Sequence, residues 1–252
     1  TPISYHNLGT DGKRAYHALH QDLSSPTRPG IVFLAGHGSD MEGSKALAIE
    51  ALANRHKIPF LRFDYFGHGA SDGAFTDGTM SHWRGDIPHI LDSLTKGPQI
   101  LVGSSFGGWL SLLAALDRAD RIAGLVLIAP AVDMTERLMW ARFSEKAREK
   151  IMAEGLIYDP SEYGPEGYPI TRALIEDGRN HLMLDAPIDI NVPVRILHGQ
   201  QDDAVPWSLS LELAAQLTSD DVELHFIKNG DHRLSQPHEI ERLFHLIDSL
   251  AL

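Results

Sequence analysis

The chain has 252 residues, of which 43% are hydrophobic and 22% charged, and this composition is typical of a globular protein. An α/β protein of this length is commonly one domain, so we expect a single domain over residues 1–252. The formal net charge of −12, without a basic stripe, argues against a nucleic-acid partner, because phosphates reward clustered Lys and Arg. With no cysteine, the chain cannot form a disulfide, a thiolate nucleophile or a Cys-based metal site.

The sequence shows no signal for membrane insertion or secretion. Its longest apolar run, roughly residues 123–132, is too short to span a bilayer of about 30 Å. No signal-peptide pattern opens the chain, and the absence of cysteine suits a reducing compartment, so we expect a cytoplasmic protein. Residue 1 is Thr rather than Met, which leaves room for a leader that has been removed.

Short apolar runs alternate with longer helical patterns along most of the chain. The predicted strands are residues 31–35, 60–63, 99–102, 125–129, 194–198 and 222–227. The predicted helices are residues 44–56, 81–94, 106–116, 208–217 and 237–250. Several strands are apolar on both faces, which predicts a mostly parallel, doubly wound α/β sheet covered by helices on each side. Segments 3–8 and 14–20, separated by Asp11-Gly12, predict an antiparallel hairpin at the sheet edge.

A G-x-S-x-G motif, Gly103 to Gly107, directly follows the predicted strand 99–102 and precedes a helix. This pattern can hold a serine on a strained strand-to-helix turn, with its hydroxyl clear of the backbone. Glycines allow such a turn to close tightly. We therefore predict Ser105 as a nucleophile.

A serine nucleophile needs a histidine base, and the base needs an acid to orient it. In this arrangement the acid and then the histidine follow the serine along the chain. The loop after strand 194–198 carries Asp202 and Asp203, and the loop after strand 222–227 carries His232. Location singles out His232 among 14 histidines, whereas the residues alone leave the choice between the two aspartates open.

The intermediate of acyl transfer also needs hydrogen-bond donors for its oxyanion. The residue after the nucleophile supplies one backbone N–H, here Phe106, and a turn after an early strand supplies the other. In the turn 35–39, we predict the N–H of His37 for this role and do not expect its side chain to be a second base. The glycine-rich turn 64–73 is interpreted as a structural corner that supports the His37 turn.

Residues 134–185 interrupt the alternation, since they contain helical pieces and no convincing strand. We predict a small helical cap over the carboxyl ends of the strands, where open α/β sheets bind ligands. Its aromatic residues are Trp140, Phe143, Tyr158, Tyr163 and Tyr168. From the cap we select Trp140, Tyr158 and Met183 as candidate substrate-binding residues. No metal or dinucleotide motif is found, so we expect no metal and no cofactor.

Over essentially its whole length, the chain resembles the α/β-hydrolases. Segments 43–50, 62–65, 97–105, 197–199, 202–203, 205–207 and 231–233 resemble more closely the abhydrolase family of acyl-protein thioesterases. That resemblance implies a nucleophile at Ser105, a base at His232 and, between the two aspartates, an acid at Asp202. It also implies removal of palmitoyl groups from cysteine, hydrolysis of acyl glucuronides and, as the alternative location, the mitochondrion after removal of a transit peptide.

The leading hypothesis is a cofactor-free serine hydrolase that cleaves carboxylic esters or thioesters of small molecules or acylated proteins. A serine peptidase or a C–C bond hydrolase could use the same three residues. A non-catalytic ligand-binding homologue is the alternative from a different class, because a fold does not imply activity. Dehalogenases and epoxide hydrolases are disfavoured, since their nucleophile at this turn is an aspartate.

Overall fold

Strands and helices alternate along most of the chain, as the apolar pattern predicts. The computed structural model describes residues 3–21, 28–161 and 164–251. The strands are β1 (Ser4–Asn7), β2 (Lys13–Leu19), β3 (Gly30–Leu34), β4 (Phe60–Phe63), β5 (Gln99–Ser104), β6 (Ile122–Ile128), β7 (Leu156–Ser161), β8 (Gly164–Thr171), β9 (Val194–Gly199) and β10 (Val222–Ile227). The helices are α1 (Ser44–His56), α2 (Met80–Leu94), α3 (Phe106–Asp117), α4 (Glu145–Glu154), α5 (Arg172–Gly178), α6 (Ser208–Gln216) and α7 (Pro237–Ala251).

Within the described residues, the main sheet has eight strands in the order β1-β2-β4-β3-β5-β6-β9-β10. From β4 to β10 all neighbouring strands are parallel. β1 and β2 pair with each other, and β2 with β4, in antiparallel fashion. The predicted edge hairpin and the predicted mostly parallel sheet are therefore both confirmed, and the fold is the α/β-hydrolase fold.

The core lies on both faces of the central strands. Every residue of β3 and β4 is buried, and this explains why β3 is a continuous apolar run instead of an alternating one. α1 packs against α7, and α2 packs against α3, so the flanking helices form two packed pairs. Trp83 of α2 and Trp109 of α3 are the largest of the fully buried side chains in the described part of the chain. Among the described residues, no helix combines the length and apolar character that crossing a membrane requires.

The parallel arrangement brings the carboxyl ends of β3, β5, β9 and β10 to one edge of the sheet. The loops that follow these strands carry His37, Ser105, Asp202 and His232, respectively. In open α/β sheets this edge is where ligands bind. Sheet topology thus brings together side chains that are up to 195 residues apart in sequence.

The segment between β6 and β9 forms a cap, but it is not purely helical. It contains α4 and α5, and also the antiparallel hairpin of β7 and β8, which no strand pattern predicted. The prediction of a cap without strands is wrong here. Pro160, Pro165 and Pro169 lie in these strands, and proline argues against a strand in the interior of a sheet. A two-stranded ribbon has open edges, which tolerate residues that lack an N–H.

A small apolar cluster holds the cap together. Ile151 of α4, Ile157 of β7, Ile170 of β8 and Ile175 of α5 are all buried in it. The cap therefore has a small apolar core of its own. Tyr163, one of the aromatic residues expected in the cap, lies outside the described residues.

Candidate active site

Ser105 lies on a sharp turn between β5 and α3. Its backbone has φ 54° and ψ −114°, a conformation that non-glycine residues rarely adopt and that is strained. Two backbone hydrogen bonds to the end of β6 and the segment after it hold this turn. Ser105 N–H donates to the Ile128 carbonyl (2.8 Å), and the Ser105 carbonyl accepts from Ala131 N–H (3.0 Å). A Cβ on Gly107 would collide with the Leu34 carbonyl, so glycine is needed for α3 to approach the end of β3 this closely. The G-x-S-x-G motif thus has the local geometry that the sequence predicts.

Hydrogen bonds connect Ser105, His232 and Asp202 in a row. The Nε2 atom of His232 lies 3.1 Å from Ser105 Oγ, and its Nδ1 atom lies 2.7 Å from Asp202 Oδ2. With Nδ1–H donating to the carboxylate, Nε2 is free to accept the serine proton. This order of groups is suited to activating a hydroxyl for attack on an acyl carbon.

Only one of the two neighbouring aspartates faces the histidine. The Asp202 carboxylate is fully buried, and its Oδ1 atom accepts hydrogen bonds from the N–H groups of Ala204 (2.9 Å) and Val205 (2.7 Å). Asp203 is exposed. Burial alone raises the pKa of Asp202, but hydrogen bonds from His198 and His232 outweigh burial and hold that pKa well below its usual range. The carboxylate is therefore ionised at neutral pH.

The two loops that carry Asp202 and His232 are packed directly on each other. Gln201 N–H donates to the Gly230 carbonyl (2.9 Å), and a Cβ on Gly199 would collide with that same carbonyl. Asp231 caps its own loop, since its Oδ1 atom accepts from the N–H groups of Arg233 and Leu234. The separation of Asp202 and His232 is thus set by backbone contacts.

The turn after β3 lies beside the serine. A Cβ on Gly36 would be 3.8 Å from Ser105 Cβ, so the backbone of this turn passes close to the Ser105 side chain. Two of its N–H groups are already engaged, because Gly38 N–H donates to His68 Nε2 (3.0 Å) and Ser39 N–H donates to the Gly36 carbonyl (3.1 Å). The N–H of His37 remains the candidate oxyanion donor in this turn, together with the N–H of Phe106 at the start of α3.

The glycine-rich corner 64–73 supports this turn, as predicted. Tyr65 donates its hydroxyl proton to the Ala35 carbonyl (3.0 Å), and the Asp64 carboxylate accepts from Met41 N–H (2.7 Å). The ring of His68 has a defined tautomer, because its Nδ1 lies 3.0 Å from the Phe66 carbonyl and its Nε2 accepts from Gly38. Burial lowers the pKa of His68, which keeps the ring neutral and able to accept that bond.

The side chain of His37 is packed among aromatic rings rather than presented as a base. Its ring centroid lies 4.8 Å from that of Phe75, 5.0 Å from that of Trp83 and 5.2 Å from that of Phe106. Burial, and then the neighbouring His68, lower its pKa well below the usual value. Its Nδ1 atom is hydrogen-bonded to the hydroxyl of Tyr168 from the cap. This contact connects the cap hairpin to the turn that carries the candidate oxyanion donor.

A cavity of about 650 Å³ lies over Ser105 between the sheet edge and the cap. From the cap, Met134, Met139, Asp159, Gly167 and Tyr168 line it. On the opposite wall the lining includes Ser44, Lys45, Arg233 and Ser235. The cavity thus combines an apolar part under the cap with a polar part near α1 and the His232 loop.

The three cap residues selected from the sequence are placed elsewhere, and none of them is among the described residues that line the cavity. Trp140 packs against the guanidinium groups of Arg148 and Arg179, with centroid distances of 5.2 and 4.9 Å. Tyr158 is 56% exposed, and Met183 is buried. Side-chain type alone favoured these residues, but the hairpin and the turn before α4 decide which residues face the cavity.

Sequence reasoning also missed His198, which lies at the end of β9 and contacts the acid. Its Nε2 atom is 3.2 Å from Asp202 Oδ2. The spacing of four residues within one strand-end loop was the available signal. Fourteen histidines in the chain made histidine alone a weak indicator.

The fold and this site define a class of protein: the chain belongs to the alpha/beta hydrolase family, whose model matches residues 31–243, and it is a hydrolase. Among named relatives, it is 40% identical over 223 residues to a human protein named palmitoyl-protein thioesterase ABHD10, mitochondrial. This match covers 88% of the chain and 72% of the human protein. The bovine protein of the same name is 41% identical over 226 residues, again 88% of this chain and 72% of the relative.

Two solved structures share the fold over nearly their full length. Alpha/beta hydrolase domain-containing protein 10 from mouse superposes with a TM-score of 0.89 at 38% identity, covering 99% of this chain and 98% of the mouse chain. A putative hydrolase from Agrobacterium vitis superposes with a TM-score of 0.93 at 38% identity, covering all of both chains. These similarities agree with the resemblance to acyl-protein thioesterases that the sequence motifs indicate.

Proposed function

We propose that this protein hydrolyses carboxylic esters or thioesters through an acyl-enzyme intermediate on Ser105. The observation that carries the proposal is the row of hydrogen bonds from Ser105 Oγ to His232 and on to the ionised carboxylate of Asp202. The strained turn at Ser105 supports it further, because it presents the hydroxyl at the carboxyl edge of the sheet.

In the first half of the reaction, Ser105 Oγ attacks the acyl carbon while His232 Nε2 takes the hydroxyl proton. Asp202 holds the imidazole in the tautomer that can accept this proton and stabilises the imidazolium that forms. The N–H groups of Phe106 and His37 receive the negative charge that develops on the carbonyl oxygen. As the tetrahedral intermediate collapses, His232 gives its proton to the departing alcohol or thiol, and the acyl group stays on Ser105.

In the second half, water repeats the sequence on the acyl-enzyme. His232 takes a proton from the water, the hydroxide equivalent attacks the acyl carbon, and Ser105 leaves with the proton that His232 returns. The free carboxylic acid is then released. No redox step or cofactor enters this scheme.

The lining of the cavity favours an acylated substrate. Met134 and Met139 offer flexible apolar surface to an acyl chain under the cap, and methionine adapts well to chains of different length. The polar wall near Lys45 and Arg233 offers room for the leaving group. The relatives named as palmitoyl-protein thioesterases support a long-chain acyl thioester as the substrate class, with an acylated protein as its source.

The relatives' names also bear on location. Because both the human and the bovine protein are named as mitochondrial, the mitochondrial alternative has support that the cytoplasmic expectation lacks.

Covalent labelling tests the proposal directly. A fluorophosphonate probe is expected to modify wild-type protein once, at Ser105, as read by intact mass and peptide mapping. Ser105→Ala should remove both the label and the hydrolysis of p-nitrophenyl butyrate and of an acyl thioester, a fall of roughly 10⁶-fold in kcat for a lost nucleophile. A Ser105→Ala protein with full esterase activity, or a label on another residue, contradicts the proposal.

A further inference from the structure

A second histidine contacts the same carboxylate oxygen of Asp202 as His232 does. His198, in β9, is completely buried, with 0% of its surface exposed. Its Nε2 atom lies 3.2 Å from Asp202 Oδ2 and 3.1 Å from the carbonyl oxygen of Val205. Its Nδ1 atom lies 2.7 Å from the hydroxyl oxygen of Ser210 on α6. Both ring nitrogens are therefore engaged in a place that water does not reach.

The partners define the protonation of this ring. A carboxylate and a carbonyl oxygen can only accept hydrogen bonds, so Nε2 must carry a proton. Ser210 can donate its hydroxyl proton to Nδ1, which then accepts, and this satisfies a neutral imidazole at both nitrogens. The imidazole itself need carry no charge to form either hydrogen bond.

With His198 included, the Asp202 carboxylate accepts four hydrogen bonds. Oδ1 accepts from the N–H groups of Ala204 and Val205, and Oδ2 accepts from His232 and His198. Two donors on each oxygen fix the plane of the carboxylate as well as its position. Because the plane is fixed, the lone pair that faces His232 Nδ1 keeps its direction.

We propose that His198 is a positioning residue for the hydrolysis, which donates its Nε2–H to Asp202 Oδ2 and thereby orients the carboxylate that orients His232. The inference rests on the proposed function of Ser105, His232 and Asp202. His198 has no contact with the reacting atoms in this arrangement and acts through Asp202 alone.

The direction of the ring argues for this role over simple packing. A buried side chain that only fills space is best made of apolar atoms, since a polar group in the interior costs free energy unless it is hydrogen-bonded. His198 instead places one donor on the acid and satisfies its other nitrogen with Ser210. The neighbouring strand residues Val194, Ile196 and Leu197 are apolar and fill the core in the expected way.

Two substitutions of similar polarity each keep one of the two hydrogen bonds of the His198 ring and remove the other. The amide nitrogen of glutamine reaches about as far as Nε2, so His198→Gln keeps a donor for Asp202. The amide of asparagine reaches only about as far as Nδ1, so His198→Asn keeps a partner for Ser210 and leaves Asp202 with three donors.

The measurement is the pH profile of kcat/KM for p-nitrophenyl butyrate, taken together with the rate of fluorophosphonate labelling. His198→Asn is expected to lower kcat/KM by roughly 10- to 100-fold, because a hydrogen bond to a charged group is lost, while His198→Gln stays within about threefold of wild type. With one donor fewer, more of the carboxylate charge acts on the His232 imidazolium, so the acid limb of the profile should move to higher pH in His198→Asn.

The other charged groups near this site are the same in both variants. Asp231 and Arg233 flank His232 in its loop, and Lys45 of α1 donates from Nζ to the Arg233 carbonyl oxygen. The acid limb of the two variants can therefore be compared directly. Thermal unfolding of each variant shows whether either has lost stability.

The outcomes distinguish this inference from the function on which it rests. The positioning role is wrong if His198→Asn and His198→Gln have the same kcat/KM and the acid limb of the pH profile does not move. This holds whether both variants are active or both are equally impaired by lost stability. A wild-type protein that neither labels at Ser105 nor hydrolyses the ester contradicts the proposed function instead. A lower kcat/KM in His198→Asn than in His198→Gln, together with an acid limb shifted to higher pH, supports the inference.

Discussion

The loops at the ends of β9 and β10 and the cap above them contribute to the same cavity but are built differently. In the two loops, buried groups and backbone hydrogen bonds set the positions of Asp202 and His232. The cap reaches the site through two methionines and through Asp159, Gly167 and Tyr168 of a two-stranded ribbon. We infer that the sheet edge determines the chemistry, and that the cap determines which acyl groups fit.

Between the two regions, the larger effect is expected within the loop after β9, where one of two adjacent aspartates faces His232 and the other faces solvent. Asp202→Asn should lower kcat roughly 10⁴-fold, because the amide cannot hold His232 in the tautomer that accepts the serine proton. Asp203→Asn is the matched control, since Asp203 is exposed, and should stay within about twofold of wild type. Steady-state hydrolysis of p-nitrophenyl butyrate measures both. Equal losses in the two variants would show that the acid has been assigned to the wrong residue.

A smaller effect is expected where the cap meets the turn after β3. Tyr168→Phe removes the hydroxyl that contacts His37 Nδ1, and so loosens the turn that carries the candidate oxyanion donor. We expect kcat to fall roughly 3- to 10-fold, the size of one neutral hydrogen bond, with KM nearly unchanged.

Tyr158→Phe tests whether this effect is specific to Tyr168. Tyr158 belongs to the same hairpin but is 56% exposed, so the substitution should leave kcat at the wild-type value. A rise in KM with unchanged kcat for Tyr168→Phe would mean that the hydroxyl takes part in substrate binding and does not support the turn.

A third test addresses the apolar part of the cavity. Met139→Ala shortens a side chain that lines the cavity, and should reduce kcat/KM for p-nitrophenyl octanoate roughly 3- to 10-fold more than for the acetate, because apolar contact with the chain is lost. Met152→Ala, at an exposed position of α4, is the control. If the ratio of kcat/KM for the octanoate to kcat/KM for the acetate is unchanged in Met139→Ala, Met139 does not contact the acyl chain.

The smallest expected effect is a change in the pH dependence of stability. Burial lowers the pKa of His68, so the native ring stays neutral while the unfolded ring takes up a proton below about pH 6.5. The unfolded state then binds more protons, and the free energy of unfolding falls as the pH falls below about 6.5. Above that pH the contribution of His68 is fully present.

In His68→Gln this part of the dependence should disappear, so the loss of Tm between pH 7 and pH 5 should be shallower than in wild type. His56→Gln, at an exposed position of α1, is the control. A His68→Gln variant whose Tm falls as steeply as that of wild type would mean that other groups carry the dependence.

The sequence alone determined the sheet, the edge hairpin and the loops in which the candidate site lies. Continuous apolar runs separated by helical patterns specify parallel strands, and parallel strands bring their carboxyl ends to one edge. Ser105 could be assigned to its turn because the two glycines and the strand before it are local features. His232 could be found because its loop follows the last strand.

The tertiary structure decided which side chains within those loops and within the cap face the site. Asp202 and Asp203 have the same chemistry, and only the hydrogen bonds from residues 204 and 205 and from His198 and His232 turn Asp202 inward. In the cap, the proline-containing strands β7 and β8 pair with each other, and this pairing places Tyr168 over the cavity and Tyr158 in solvent. Side-chain direction in loops and ribbons depends on partners that are distant in sequence, and so local patterns do not encode it.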